Sequence, residues 1–390
     1  MESKPPTVTI LSTADFDNPI WTNKQHLGSG LALSLPVNYI DSLGLRAPTL
    51  TVADLRRIMS KLMIGQHKSR RASPRATAGV EPRPTIISPR VVPFHGARIV
   101  RGVNQRLLTK LVLDSIPESD RDILWTFSPL TYGLERHFRR SVYHSVDLLH
   151  TFPGVPSAII LSAEKKLLQS ADVAIASSSG VAQHLNTQGR SEVLLWENVA
   201  DTALYRRNAS DTPLRRAIFS GNLTPTKIDF NLLSSVAEAG VELALAGPVS
   251  IDGTGGQKDL DRLLTHPNVR YLGLLEPEEL AREVGNAQVG LIPYKVNEHT
   301  NGIFPMKVFE YLASGLTVIS TPLASLKERP PITGLTITSP DDYASAVRHE
   351  IGHFNLEQAL ARRDAAEPFS WENRLNEARE VVRSLASTTA

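Results

Sequence analysis

VGLIPYKVNEHTNGIFPMKVFEYLASGLTVIS, residues 289–320, decides the fold. VGLIPY is an unbroken apolar run, the pattern of a strand covered on both faces. A polar loop follows, and Pro305 suits the first turn of a helix because its missing N–H is not needed there. Gly315 suits the end of that helix, since glycine tolerates the left-handed conformation that closes it. LTVIS then restarts a strand. Strand, helix and strand within one such stretch make a parallel βαβ unit.

The same alternation extends in both directions. Further strand candidates in this half are AIFS (217–220), VELALAG (241–247), NVRYLG (268–273) and LTIT (335–338), separated by helical runs such as IDFNLLSSVAEAG and PEELAREVG. Toward the amino terminus the candidates are TVTILS (7–12), VNYI (37–40), TIISPRVV (85–92), ILWTFS (123–128), RSVYHSV (140–146), VAIAS (173–177) and EVLLWE (192–197). Between them, LRRIMSKLM (55–63), NQRLLTKLVLDSI (104–116), EKKLLQSA (164–171) and SGVAQHLNTQ (179–188) repeat apolar residues at helical spacing. The reading is α/β: two Rossmann-like, doubly wound domains over 1–200 and 214–368. VADTALYRRNASDTP (199–213) reads as a polar hinge, and the amphipathic helix 371–388, with no strand left to follow it, is expected to cross back to the first domain. Gly28–Gly30 lie inside a helical run, so they predict close helix packing and no dinucleotide fingerprint.

Composition narrows the chemistry. A chain of 390 residues, 41% hydrophobic and 21% charged, is expected to fold around more than one core. Cysteine is absent, which removes thiolate metal sites, iron–sulfur clusters and a cysteine nucleophile. That absence, with no signal-peptide pattern and no long apolar run, predicts a cytoplasmic protein. No phosphate loop GxxxxGK[ST], HExxH helix or GxSxG elbow occurs. The net charge is only +2, yet Arg56, Arg57, Lys61, Lys68, Arg70, Arg71, Arg75, Arg83 and Arg90 stand against Asp54 and Glu81, followed by Arg98, Arg101, Arg106 and Lys110. The segment 54–110 therefore predicts peripheral membrane contact, with LRRIMSKLM as its interfacial helix. Nucleic acid is not expected, because aromatic residues are sparse there. The stretch 66–84, rich in Arg, Ser and Pro, reads as a loop.

Candidate site residues follow from strand ends, where a doubly wound sheet binds its ligands. Pro305 should leave backbone N–H groups free at the helix start, and Lys307 adds a cation beside them, which together suit a diphosphate. Glu310, one turn after Met306, could accept from two ribose hydroxyls. YHSVDLLHTFPG (143–154) delivers Asp147 to a strand end next to His144 and His150, making it the best general base in the chain. Asp147 reads equally as a helix cap, and Lys307 with Glu310 as an i, i+3 pair. Asp120 and Asp122 precede a strand and read as a turn. The histidines lack a convergent carboxylate, so neither metal nor cofactor is expected.

PMKVFEYLASGLTVIS resembles the P-x-K-x-x-E-Y-x-A-x-G-x-P-V motif of GT-B glycosyltransferases of the group-1 (GT4-like) type. The resemblance extends to DVAIASSSGVAQHL, ENVADTALY, GNLTPTKIDFNLL and NVRYLGLLEPEEL, most of residues 120–320. It implies a GT-B fold with a cleft between the domains, and a nucleotide sugar (UDP- or GDP-) as substrate. Glu310 would meet the ribose, Lys307 the diphosphate, Gly221 and Asn222 the phosphates or sugar, with Met306, Lys227 and Tyr294 lining the pocket. Retaining members carry E-x7-E, whereas Gly302 stands eight positions before Glu310. More distantly, YKVNEHTNGIFPMKVFEY resembles exopolysaccharide glucuronosyltransferases and teichuronic-acid glycosyltransferases, which work at the inner membrane face; this resemblance implies a lipid-linked or polysaccharide acceptor. In those families an aspartate matching Asp147 lies in the acceptor cleft, implying a metal-independent, inverting transfer with Asp147 as base. The rivals are a sugar-nucleotide 2-epimerase, which needs no acceptor, and a catalytically silent nucleotide-sugar binder in polysaccharide assembly.

Overall fold

Parallel strands need crossover connections, and a sheet built that way is covered by helices on both faces, so its strands can be apolar throughout. The computed structural model of the chain shows that logic twice. It describes residues 4–18, 20–45, 70–71, 83–92, 94–152, 154–249 and 256–387, the pair 70–71 by backbone alone. Contacts divide the chain into two units, Met1–Trp196 with Leu375–Ala390, and Glu197–Arg374.

The first unit carries β1 (Val8–Leu11), β2 (Val37–Ile40), β3 (Arg70–Arg71), β4 (Thr85–Ile87), β5 (Ile123–Thr126), β6 (Arg140–Ser145), β7 (Val173–Ala176) and β8 (Leu194–Leu195). Their order is β3-β4-β2-β1-β5-β6-β7-β8. All pairs are parallel except β3 against β4. Every residue of the central β1 and β5 is buried, which is why both read as continuous apolar runs. Val8 stands opposite Val37 on one side and Ile123 on the other. The chain lays down the β2 side first and returns to build the β5 side, so the topological switch lies between β1 and β5.

Several boundaries differ from the sequence reading for local reasons. TIISPRVV ends as a strand at Ile87, because Pro89 has no N–H for a ladder. The helix expected from Asn104 begins at Arg98, and the one expected from Glu164 begins at Ser157, directly after Pro156. EVLLWE contributes only the two exposed residues of edge strand β8. Within the expected loop 66–84, Arg70–Arg71 form the antiparallel edge β3. The helical reading of 55–63 lies outside the described residues.

One face of the first sheet packs on the helices Asn23–Ala32 and Trp371–Ser387. Leu27 and Leu31 of the first helix and Ala378, Val382 and Leu385 of the second share one core with Ile10, Trp125 and Val142. The glycines of GSG make this packing possible. A Cβ on Gly28 would stand 3.0 Å from the Tyr39 ring, and one on Gly30 would collide with the Leu375 side chain.

The second unit carries β9 (Arg216–Ser220), β10 (Glu242–Ala246), β11 (Val269–Tyr271), β12 (Val289–Ile292), β13 (Thr317–Ser320) and β14 (Leu335–Ile337). They are all parallel, in the order β11-β10-β9-β12-β13-β14. Here the switch lies between β9 and β12. The polar segment 199–213 is not an irregular linker. It contains the helix Thr202–Arg207, capped by Asp201, whose carboxylate accepts from the Leu204 amide at 3.0 Å. Leu204 and Tyr205 are buried in the core of this unit. Glu197, its first residue, pairs at 2.9 Å with Arg329, whose guanidinium stacks among Phe304, Phe309 and Phe369.

Candidate active site

Two loops meet at the switch point of the second sheet, one after β9 and one after β12. They are joined by backbone: Asp229 N donates to Pro293 O at 2.8 Å, Lys295 N to Lys227 O at 2.8 Å, and Ile228 bridges Tyr294. Lys295 Nζ adds a bond to Pro225 O at 2.8 Å. Side chains follow suit, with the Lys227 ammonium 4.4 Å from the centre of the Tyr294 ring. Burial pushes the Tyr294 phenol up to about 12, against the opposing field of Lys307.

The helix of the deciding stretch runs Lys307–Ala313. Gly315, at φ +88°, closes it: its amide donates to Leu312 O and that of Leu316 to Tyr311 O, the paired bonds of a Schellman end. Its start differs from the sequence reading. Val308 N donates to Pro305 O, and Phe309 N and Glu310 N to Met306 O, so those amides are committed within the turn. Met306 occupies the N-cap position, and the positive charge at this helix start is the side chain of Lys307.

Lys307 and Glu310 do pair, with Nζ 3.6 Å from Oε2, but not on an open surface, since their side chains are 14% and 11% exposed. The Tyr205 phenol hydrogen-bonds to Glu310, and burial beside that carboxylate pushes the phenol well up. Glu310 Oε2 is buried and accepts no hydrogen bond. Asn222 Oδ1, in the loop after β9, is in the same condition. Buried acceptors are nearly always satisfied, so these two oxygens remain open to hydroxyl or N–H donors.

Glycines bring these groups together. Gly221, at φ +142°, leaves room for Lys307, whose Cε would stand 2.5 Å from a Cβ placed there. Gly247, at the end of β10, faces the Gly221 carbonyl equally closely. In β12, a Cβ on Gly290 would enter the Tyr311 ring. The space it leaves lets the Tyr311 hydroxyl accept from the Ser220 amide at 2.9 Å, pinning the helix to the end of β9. Sequence reasoning missed Tyr205, Gly247 and the role of Gly290; the E-Y pair in the motif was the available signal for the last.

In the first unit, Asp147 follows β6 and is half-buried. Among the described residues its carboxylate makes no hydrogen bond and caps no helix; the turn Leu149–Thr151 that follows has Leu148 at its N-cap, without a side-chain cap. His144 and His150 do not join it. His144 lies buried among Trp125, Phe127 and Trp196. His150 stacks on His184, which pairs with the buried Glu164 at 2.5 Å. Asp120 and Asp122 occupy the turn before β5, tied to Lys4 and to the Thr7 amide. Gly302, the position of the absent first glutamate, ends the short helix Glu298–Asn301. No group of three or more His, Asp or Glu side chains gathers as a metal site among the described residues.

Residues 215–352 match the family described as glycosyl transferases group 1. TuaH of Bacillus subtilis (strain 168), named as a teichuronic acid biosynthesis glycosyltransferase, is 32% identical over 184 residues, 43% of this chain and 44% of that protein. The chain thus matches less than half the length of this relative. Sucrose-phosphate synthase from Thermosynechococcus elongatus superposes with a TM-score of 0.68 at 16% identity, over 98% of this chain and 100% of that one. Anabaena HepE in complex with UDP gives 0.64 at 14% identity, over 97% and 100%. The match to the group 1 glycosyl transferase family thus lies within the second unit, and the two-domain fold is shared with these solved structures along nearly the full length of the chain.

Proposed function

We propose that the protein transfers a sugar from a UDP- or GDP-sugar to a hydroxyl of a lipid-linked or polysaccharide acceptor. The observation that carries this reading is the switch point of the second sheet, where Glu310 Oε2 and Asn222 Oδ1 are buried without hydrogen-bond partners beside Lys307. Glu310, steadied by Tyr205, would take the ribose hydroxyls. Lys307 would turn from Glu310 toward the diphosphate, Gly221 and Asn222 would meet phosphate or sugar, and Met306, Lys227 and Tyr294 would line the pocket. UDP is the favoured nucleotide, since HepE was solved with UDP and with UDP-glucose. In the first unit Asp147 would remove the acceptor proton as the hydroxyl attacks the anomeric carbon. Lys307 would stabilise the departing nucleoside diphosphate without requiring a metal. With Gly302 in place of a first glutamate, a single displacement with inversion suits this site.

A ligand that binds the folded state raises the melting temperature by mass action. In a panel of nucleotides and nucleotide sugars, UDP species are expected to stabilise the protein, and Lys307→Ala and Glu310→Ala to abolish that gain. No shift with any nucleotide would favour an unrelated ligand. Turnover of the nucleotide sugar without acceptor would favour the 2-epimerase, and binding without turnover the silent partner.

The acceptor's chemistry also points to a membrane surface, and the helix Arg98–Ser115 supplies one. Its inner face buries Asn104, Leu108 and Val112, while Ile99, Val103 and Leu107 repeat every four residues at 83%, 40% and 43% exposure. Arg98, Arg101, Arg106 and Lys110 lie on the same helix. An apolar stripe with basic neighbours suits an anionic bilayer at the cytoplasmic face. No helix among the described residues is long and apolar enough to cross a membrane. Sedimentation with phosphatidylglycerol vesicles is expected to capture the protein, and the double change Ile99→Glu with Leu107→Glu to release it. Equal capture of the variant would remove this face from the reading.

A further inference from the structure

The switch point of the first sheet holds a charge that the reaction above does not use. Lys24 stands in the first turn of the helix Asn23–Ala32, only 7% exposed. Its Nζ lies 5.8 Å from the centre of the Phe127 ring, just past the end of β5. Among the described residues no protein atom accepts a hydrogen bond from it. Lys295, by contrast, donates to a backbone carbonyl, and Lys4 to Asp120. Nor is Lys24 needed to close its helix, because Thr22 and Gln25 already form the capping box.

A buried ammonium with three unmatched N–H donors is unfavourable unless something fills them. The Phe127 ring, at the edge of cation–π range, does so only weakly. The charged group whose field reaches Lys24 is Asp147, which partly offsets the lowering caused by burial. A cation in the first turn of the helix after β1, beside Phe127 at the end of β5, and a carboxylate after the adjacent β6 suit one molecule bearing both an anionic oxygen and a hydroxyl. An ionised carboxylate can only accept, so it takes the hydroxyl; an ammonium can only donate, so it takes the oxyanion.

We propose that Lys24 is a substrate-binding residue of the first unit, holding a phosphoryl or carboxylate oxygen of the acceptor whose hydroxyl meets Asp147. The inference rests on reading this unit as the acceptor domain, and it makes the acceptor anionic close to its reacting hydroxyl.

The test uses the full chain carrying Lys307→Ala, so that the nucleotide site contributes nothing, with inorganic pyrophosphate as the phosphoryl probe and glucuronate as the carboxylate probe. One of the two is expected to bind by calorimetry, and the added change Lys24→Gln to weaken it by about tenfold or more. Which probe binds distinguishes phosphate from uronate. Equal affinity in the Lys24→Gln protein, or no binding of either probe, would overturn the proposal. A second measurement needs no change at Lys24: its rate of acetylation by acetic anhydride should fall when the bound probe is present, and an unchanged rate would count equally against it. Loss of the UDP-induced melting shift in Lys307→Ala is read separately, so failure of the nucleotide reading leaves this result interpretable.

Discussion

Replacing Asp147 by asparagine is expected to lower sugar transfer by about 10²–10⁴-fold, the range for removing a positioned general base, while leaving nucleotide affinity unchanged. Asparagine keeps the shape and the hydrogen-bonding oxygen, so it would serve as well as aspartate in a turn or cap. It cannot take a proton. Because the Asp147 carboxylate makes no hydrogen bond among the described residues, little in the fold should depend on it. The measurements are kcat at saturating acceptor and the UDP-induced melting shift in the same preparation. Full activity would take Asp147 out of the mechanism; loss of activity together with loss of the UDP shift would point to a folding defect instead.

The change Gly247→Ala is expected to destabilise the second unit by about 3 kcal/mol or more and to abolish the UDP-induced shift. Gly247 sits at φ +125°, where an L side chain is strained. A Cβ there would also press on the Gly221 backbone, its carbonyl oxygen first, with the carbonyl carbon at 2.8 Å and the amide nitrogen at 3.1 Å. These are backbone atoms and cannot rotate away. Relief requires moving the loop after β9, which carries Asn222 and makes room for Lys307. Gly240 provides the control: its φ is +79°, but nothing lies within 4 Å of its Cβ position. Gly240→Ala should therefore cost only the conformational part, about 1 kcal/mol. The comparison is made by urea unfolding of both variants. Similar losses in the two would show that the Gly247–Gly221 approach carries no weight.

The parallel sheets were legible because burial on both faces writes itself as unbroken apolar runs, as in VTIL and VGLI. Where a segment owes its shape to packing, the text misled. TALYRR looks polar and irregular because Leu204 and Tyr205 stand among charged neighbours, yet those two side chains anchor a helix in the core. The Lys307 turn failed differently: Pro305 announced the helix, but the carbonyls of Pro305 and Met306 took the amides that a free N-terminus would have offered.

By itself, then, the sequence determined that two α/β units would form, that a helix would start after Pro305 and stop at Gly315, and that Lys307 and Glu310 would share one of its faces. All of these follow from period, chain stiffness and neighbours a few residues apart. The tertiary structure alone decided that Tyr205 holds Glu310, that Gly290 clears a path for Tyr311 to reach Ser220, 91 positions away, and that Gly247 packs against Gly221. It likewise decided that Lys24, on the helix after β1, stands within the field of Asp147, 123 positions away. Those contacts join distant residues through the order of strands in a sheet, and strand order is fixed by packing between elements, which no local window of sequence contains.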